Sequence, residues 1–198
     1  MLRSNSIGIL SFALCLLAAC QPKGLQITET AQPAPPMGSA LTCDVRVEKA
    51  WVARESVSYS SHALTTGPTC EKSAALLVIR DGQKTPVFTW AGATQDVFGL
   101  KDATNTVAMR AALLNWIDQS KSMLATTQAL PPWEETEGQP RRAEFPFMPG
   151  SWIDEQTWDS LRTEKLDMFC FPQGGESLRC MALHDGRMEE IGLQLFPG

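Results

Sequence analysis

The run from Ile7 to Ala19 is apolar, broken only by Gly8 and Ser11, follows a positive charge at Arg3 and ends on Cys20. It falls short of the roughly 20 residues that a helix needs to cross a bilayer and suits the apolar core of an export signal. Residues 1–19 are therefore read as a signal peptide, outside the fold, and the rest of the chain is expected where thiols oxidise. Past Cys20 stand Cys43, Cys70, Cys170 and Cys180. An even set in an exported chain predicts disulfides, and sequence proximity favours the pairs Cys43–Cys70 and Cys170–Cys180. In the chain-entropy picture, loops of this size stabilise by about 3 kcal/mol each, less any strain. A zinc site fits poorly, because no Cys-x-x-Cys pair is present and only His62 and His184 could complete a shell. Neither metal nor cofactor is expected.

The end of the apolar run is unusual for an ordinary signal, since Leu16-Leu17-Ala18-Ala19 leads straight into Cys20-Gln21. This stretch resembles the lipobox of bacterial lipoproteins, and the resemblance covers residues 1–21. It implies that Cys20 is lipidated on sulfur, palmitate being one of its acyl groups, and becomes the mature N-terminus. Each buried methylene contributes about 0.8 kcal/mol, so two or more acyl chains would anchor the protein on a membrane without crossing it. The implied place is a bacterial cell envelope, facing the periplasm. In enterobacterial members an Asp after the lipidated Cys favours the inner membrane, and Gln21 points to the outer one.

From Gln21 to Ala40 the chain carries Pro22, Pro33, Pro35, Pro36, Gly24 and Gly38 with few large apolar groups. Such a segment cannot bury enough to order itself, so residues 20–41 read as lipidated terminus and tether. The remainder, 42–198, has the length of one domain. With 17 basic and 22 acidic residues and a net charge of -5, the chain offers no basic stripe for phosphates, which argues against nucleic acid as a partner.

Within 42–198 the periodicity predicts an α+β domain, an antiparallel sheet of about five or six strands with one main helix packed on it and a second, short helix. Cys43, Val45, Val47, Trp51 and Ala53 alternate with polar residues, only Lys49 falling on the wrong side, which reads as a half-buried strand. The Ser/Thr-rich stretch from Glu55 to Thr69 reads as mostly loop. Ala74 to Arg80 and Val87 to Trp90 flank Asp81-Gly82, a hairpin signal, with Pro86 at a strand start or edge. Thr104 to Leu124 takes helical spacing through Met109, Leu113, Trp116, Ile117 and Leu124, with Asp102 or Thr104 as cap. A second helix should run from Asp154 to Arg162, with Ile153 and Trp158 at staple spacing. Three strands follow, 167–171, 178–183 and 188–196.

Three constellations carry possible chemistry. Ser60-Ser61-His62 could supply a nucleophile and base, although no Gly-x-Ser-x-Gly elbow accompanies it, and a solvated loop explains the same letters. A glycosidase-like carboxylate pair could be drawn from Glu134, Glu135, Glu137, Asp154, Glu155 and Asp159, if the fold set two at the right separation. The third is Trp133, Phe145, Phe147 and Trp152 in the proline-rich segment 128–152, residues suited to a partner-binding groove or to covering one end of the sheet. The chain is thus expected to be a membrane-anchored lipoprotein with a non-enzymatic binding domain, its partners the bilayer through acylated Cys20 and an envelope protein or cell-wall component. The alternatives are an inhibitor of an envelope-attacking enzyme such as lysozyme, and a carboxylate-dependent envelope hydrolase.

Overall fold

The computed structural model describes residues 42–53, 58–122 and 124–196. The expected signal peptide, Cys20 and the tether lie outside them.

The domain is α+β, with every strand pairing antiparallel. Its first sheet is a meander of β1 (Val45–Val52), β2 (Ser58–Thr66), β3 (Ala74–Arg80) and β4 (Pro86–Ala93), in that order. The inward side chains are Val45, Val47 and Trp51 from β1, Tyr59, Ser61, Ala63 and Thr65 from β2, and Ala75, Leu77 and Ile79 from β3. Within the predicted loop, Ser58–Thr66 is therefore strand. After Tyr59 its buried positions are held by the short side chains of Ser61, Ala63 and Thr65, which suit a central strand but leave little apolar signal.

The hairpin after β3 is real, but its turn is not carried by Gly82. The left-handed residue is Lys84, at φ 65°. The Asp81 carboxylate accepts from the N–H groups of Gln83 and Thr85, a longer turn that ends on Pro86 as the first residue of an edge strand.

Helix α1 (Thr106–Trp116) packs mainly against β1 and buries Met109, Leu113 and Trp116. Its cap is Asn105, whose side chain accepts from Val107 N and Ala108 N at 3.0 and 2.9 Å, rather than Asp102 or Thr104. The helix also stops well before Leu124. Asp118 takes the Ser120 N–H on its side chain and starts a separate 3-10 turn, which competes with continuing the α ladder.

A short ribbon of β5 (Trp133–Glu134) and β6 (Gln139–Pro140) precedes the second sheet. That sheet comprises β7 (Phe147–Pro149), β8 (Met168–Pro172), β9 (Ser177–His184) and β10 (Arg187–Leu195), in the order β7-β10-β9-β8. The expected single sheet of five or six strands is thus divided into two of four. The reason lies in β8, which is buried on both faces. Phe169 and Phe171 join the core shared with the first sheet, with Trp51 meeting Phe169 edge-on at 5.4 Å. Met168 and Cys170 join a second core with Leu124, Phe147, Ile153, Trp158 and Leu161. Helix α2 (Glu155–Glu164) closes that second core, capped by Asp154 through Thr157 N. The second sheet is therefore a middle layer.

At the bulge between Glu190 and Gly192 the strand β10 turns Ile191 into the second core. Gly192 sits at φ 144°, and an added Cβ would lie 2.2 Å from Met148 O, so only glycine fits against β7. Both expected disulfides are present, Cys43–Cys70 and Cys170–Cys180. Among the described residues no helix is long and apolar enough to cross a membrane.

Candidate functional site

Two of the places that combine polar side chains with access are built on β1. Cys43 N donates to Gly67 O, and antiparallel alternation carries that bonded pairing through Val45–Thr65, Val47–Ala63, Lys49–Ser61 and Trp51–Tyr59. The peptide groups of Arg46, Glu48, Ala50 and Val52 therefore point away from β2, along an open edge. Arg110 Nη1 covers one of them, donating to Arg46 O at 3.2 Å.

A cleft of about 450 Å³ runs beside the rest of that edge, lined by Lys49 to Val52, Asp118 to Ser120, Ala125, Thr126, Asp167 and Met168. Because residues of both alternations line it, the cleft follows the strand's edge rather than one face. Its charged centre is Lys49 Nζ, 2.6 Å from Asp118 Oδ1, with the side chains 39% and 15% exposed. That hydrogen bond from Lys49, and then those from Ser120, hold the Asp118 carboxyl far below the ordinary carboxylate value. Lys49, the one residue out of step in the β1 pattern, is thus the inward cation that meets the α1 terminus. Across the cleft Gln119 stands in for a missing strand. Its side-chain amide donates to Cys170 O at 2.9 Å and accepts from Cys170 N at 3.1 Å, sealing the edge of β8.

The second place is the outer face of the first sheet. Ser60 and His62 stand two apart on β2 and so share a face, while Ser61 between them is buried on the other. Ser60 Oγ lies 2.8 Å from His62 Nε2. On the far side of the ring, His62 Nδ1 is 3.6 Å from Glu48 Oε2. Glu48 and His62 are register partners in a pair of the type without ladder bonds, whose side chains approach most closely. The reading of Ser60-Ser61-His62 as a solvated loop placed these groups in the wrong local structure, and the two-residue spacing was the signal that a strand would align them.

The aromatic set is dispersed. Phe147 is 6% exposed and packs on Trp158 at 5.3 Å, with Trp133 meeting the same indole at 6.2 Å. Phe145 pairs with Phe196 instead. Trp152 is 54% exposed, its Nε1 donating to Glu190 O at 3.2 Å. Trp133 and Phe147 thus cover the second core, and the four rings do not line one groove.

Of the carboxylates considered for hydrolysis, three are occupied locally. Glu134 pairs with Arg141 at 3.3 Å, Asp159 with Arg162 at 3.6 Å, and Asp154 caps α2. Glu135, Glu137 and Glu155 are exposed. An acid-rich cleft of about 560 Å³ lies elsewhere, where His184 stands 3.8 to 3.9 Å from Glu164, Asp185 and Glu189. Tyr59 also lines it, its hydroxyl pKa raised by burial and then by Asp81 and Asp167. Among the described residues no cluster of three or more His, Cys, Asp or Glu is arranged to hold a metal. Comparison of the chain with protein-family models, with curated proteins and with solved structures found no match.

Proposed function

We propose that the chain is a lipoprotein of a bacterial envelope, anchored through Cys20 and facing the periplasm, whose folded domain is a binding module for an envelope partner. The anchoring rests on the lipobox-like stretch and agrees with two formed disulfides, the expected state of an exported domain. The observation that carries the binding reading is the cleft along β1. It combines a run of outward peptide groups with a charged pair at its floor, the two elements by which strand addition gains affinity and register. An extended segment of a partner protein is the occupant this geometry favours.

The test uses the full chain in its membrane. A photo-crosslinking residue at Val52, which is 65% exposed beside the cleft, should give a discrete adduct. Ala50→Pro removes one outward N–H from an edge strand that can accommodate proline, and should abolish the adduct with little change in melting temperature. An adduct unaffected by this substitution would rule out strand addition at β1. The anchor is read separately: palmitate incorporation should be lost in Cys20→Ala, and its persistence would overturn the lipoprotein reading.

A further inference from the structure

We infer that Ser60 is an activated nucleophile, which with His62 as base and Glu48 orienting the imidazole forms an acyl-transfer site for carboxylic esters with a small apolar acyl group. The site lies on the face of the first sheet rather than at its edge, and it stands whether or not the β1 cleft holds a partner.

The geometry supplies the nucleophile–base contact and places the other groups of the reaction around it. The nucleophile touches its base, Ser60 Oγ to His62 Nε2 being 2.8 Å. With the hydroxyl donating, Nε2 accepts and the ring proton stands on Nδ1, the side on which Glu48 Oε2 lies 3.6 Å away, a separation that must shorten on substrate binding for the carboxylate to orient the ring. Strand pairing fixes all three, because Ser60 and His62 ride on an inner strand and Glu48 on its neighbour.

Ala50, a small side chain, is the register partner of Ser60 on β1, while on β3 that partner is Arg80. Arg80 Nη1 donates to Lys84 O at 2.8 Å, and to serve an oxyanion beside Ser60 the other N–H groups of the guanidinium would have to turn toward it on substrate binding. Val78, the partner of His62 on β3, and the paired Leu64 and Leu76 give an apolar strip on the same face for the acyl chain.

In the first step Ser60 Oγ bonds to the acyl carbon as its proton passes to His62 Nε2. The ester C–O bond then breaks, and the departing alkoxide takes that proton, leaving an alcohol and acyl-Ser60. Water repeats the sequence in reverse, giving the carboxylic acid and free Ser60. Net, one ester and one water become one acid and one alcohol. A face without walls holds substrate weakly, so covalent labelling by reactive probes should be prominent and turnover slow.

The experiment treats the detergent-solubilised full chain with a fluorophosphonate probe, with p-nitrophenyl acetate as the ester substrate. Peptide mapping of the unmodified protein should place a single adduct on Ser60. Labelling and esterase activity should vanish in Ser60→Ala and fall about 100-fold in His62→Gln, the scale of a lost general base. Glu48→Gln should lower the maximal labelling rate while leaving the half-saturating probe concentration unchanged, a separation that a merely structural role would not produce. An adduct mapping elsewhere, no adduct, or an undiminished rate in His62→Gln would each overturn the assignment. Mapping on the unmodified chain decides the matter even if a variant proves unstable.

Discussion

At Asp118 one carboxylate ends a helix, begins a turn and holds the only lysine directed inward from β1. Its folded-state pKa is depressed, by Lys49 first and Ser120 next. The stability it lends is therefore present above the ordinary carboxylate value of 3.8 and is lost as acid titrates the folded group. Asp118→Asn should lower the melting temperature by a few degrees near neutrality, and the gap from the unmodified protein should close as the pH falls below that value. Thermal scans between neutral and strongly acidic buffer read both effects. A gap independent of pH would mean that the charge is immaterial there. Asp154, which caps α2 through Thr157, follows the same sign by the same kind of hydrogen bond.

Among the elements, β8 shows how a sheet edge can be closed without a strand. Gln119 bonds both peptide groups of Cys170, Trp116 Nε1 donates to Pro172 O at 2.7 Å, and Met168 N donates to Ala125 O at 2.9 Å. Replacing Gln119 by Leu keeps the bulk and strands two peptide groups, at a cost of about 2 kcal/mol, measurable by urea denaturation. Faster amide exchange at Cys170 should accompany it.

Elements with strong local signals were legible in the sequence, and those decided by distant packing were not. The hairpin at Asp185-Gly186 needs only its own φ values of 48° and 74°, and the Ile153–Trp158 staple and the Asp154 cap are equally local. The division into two sheets depends on Phe169 and Phe171 finding Trp51, Phe88 and Trp90, far away in sequence. Strand β2 escaped notice because a central strand can be built from Ser, Ala and Thr once its neighbours supply the apolar bulk. The Ser60–His62 contact went with it, whereas the Lys49 anomaly in β1 was visible and only its partner was hidden.

For the whole molecule, the second sheet between two cores makes the three layers interdependent, and the disulfides act at different depths. Cys170–Cys180 joins register partners on neighbouring strands, a sequence separation of 10, inside the second core. Cys43–Cys70 spans 27 and ties the start of the domain to the connection between β2 and β3. The paired substitution Cys43→Ala with Cys70→Ala should cost about 3 kcal/mol, more than the shorter loop predicts for the other bridge, and differential scanning calorimetry of both double variants compares them.

The position of that first bridge has a mechanical consequence. Under the proposed anchoring through Cys20, a tug from the envelope would reach the domain at the front of β1, a strand with an open edge and so easy to peel. The bridge intercepts the pull immediately before β1. Tension entering at Cys43 is shared covalently with Cys70, two strands into the sheet, so the ladder between β1 and β2 is spared from unzipping one bond at a time. The protein would then resist stretching as a block while oxidised and give way strand by strand once that sulfur link is reduced.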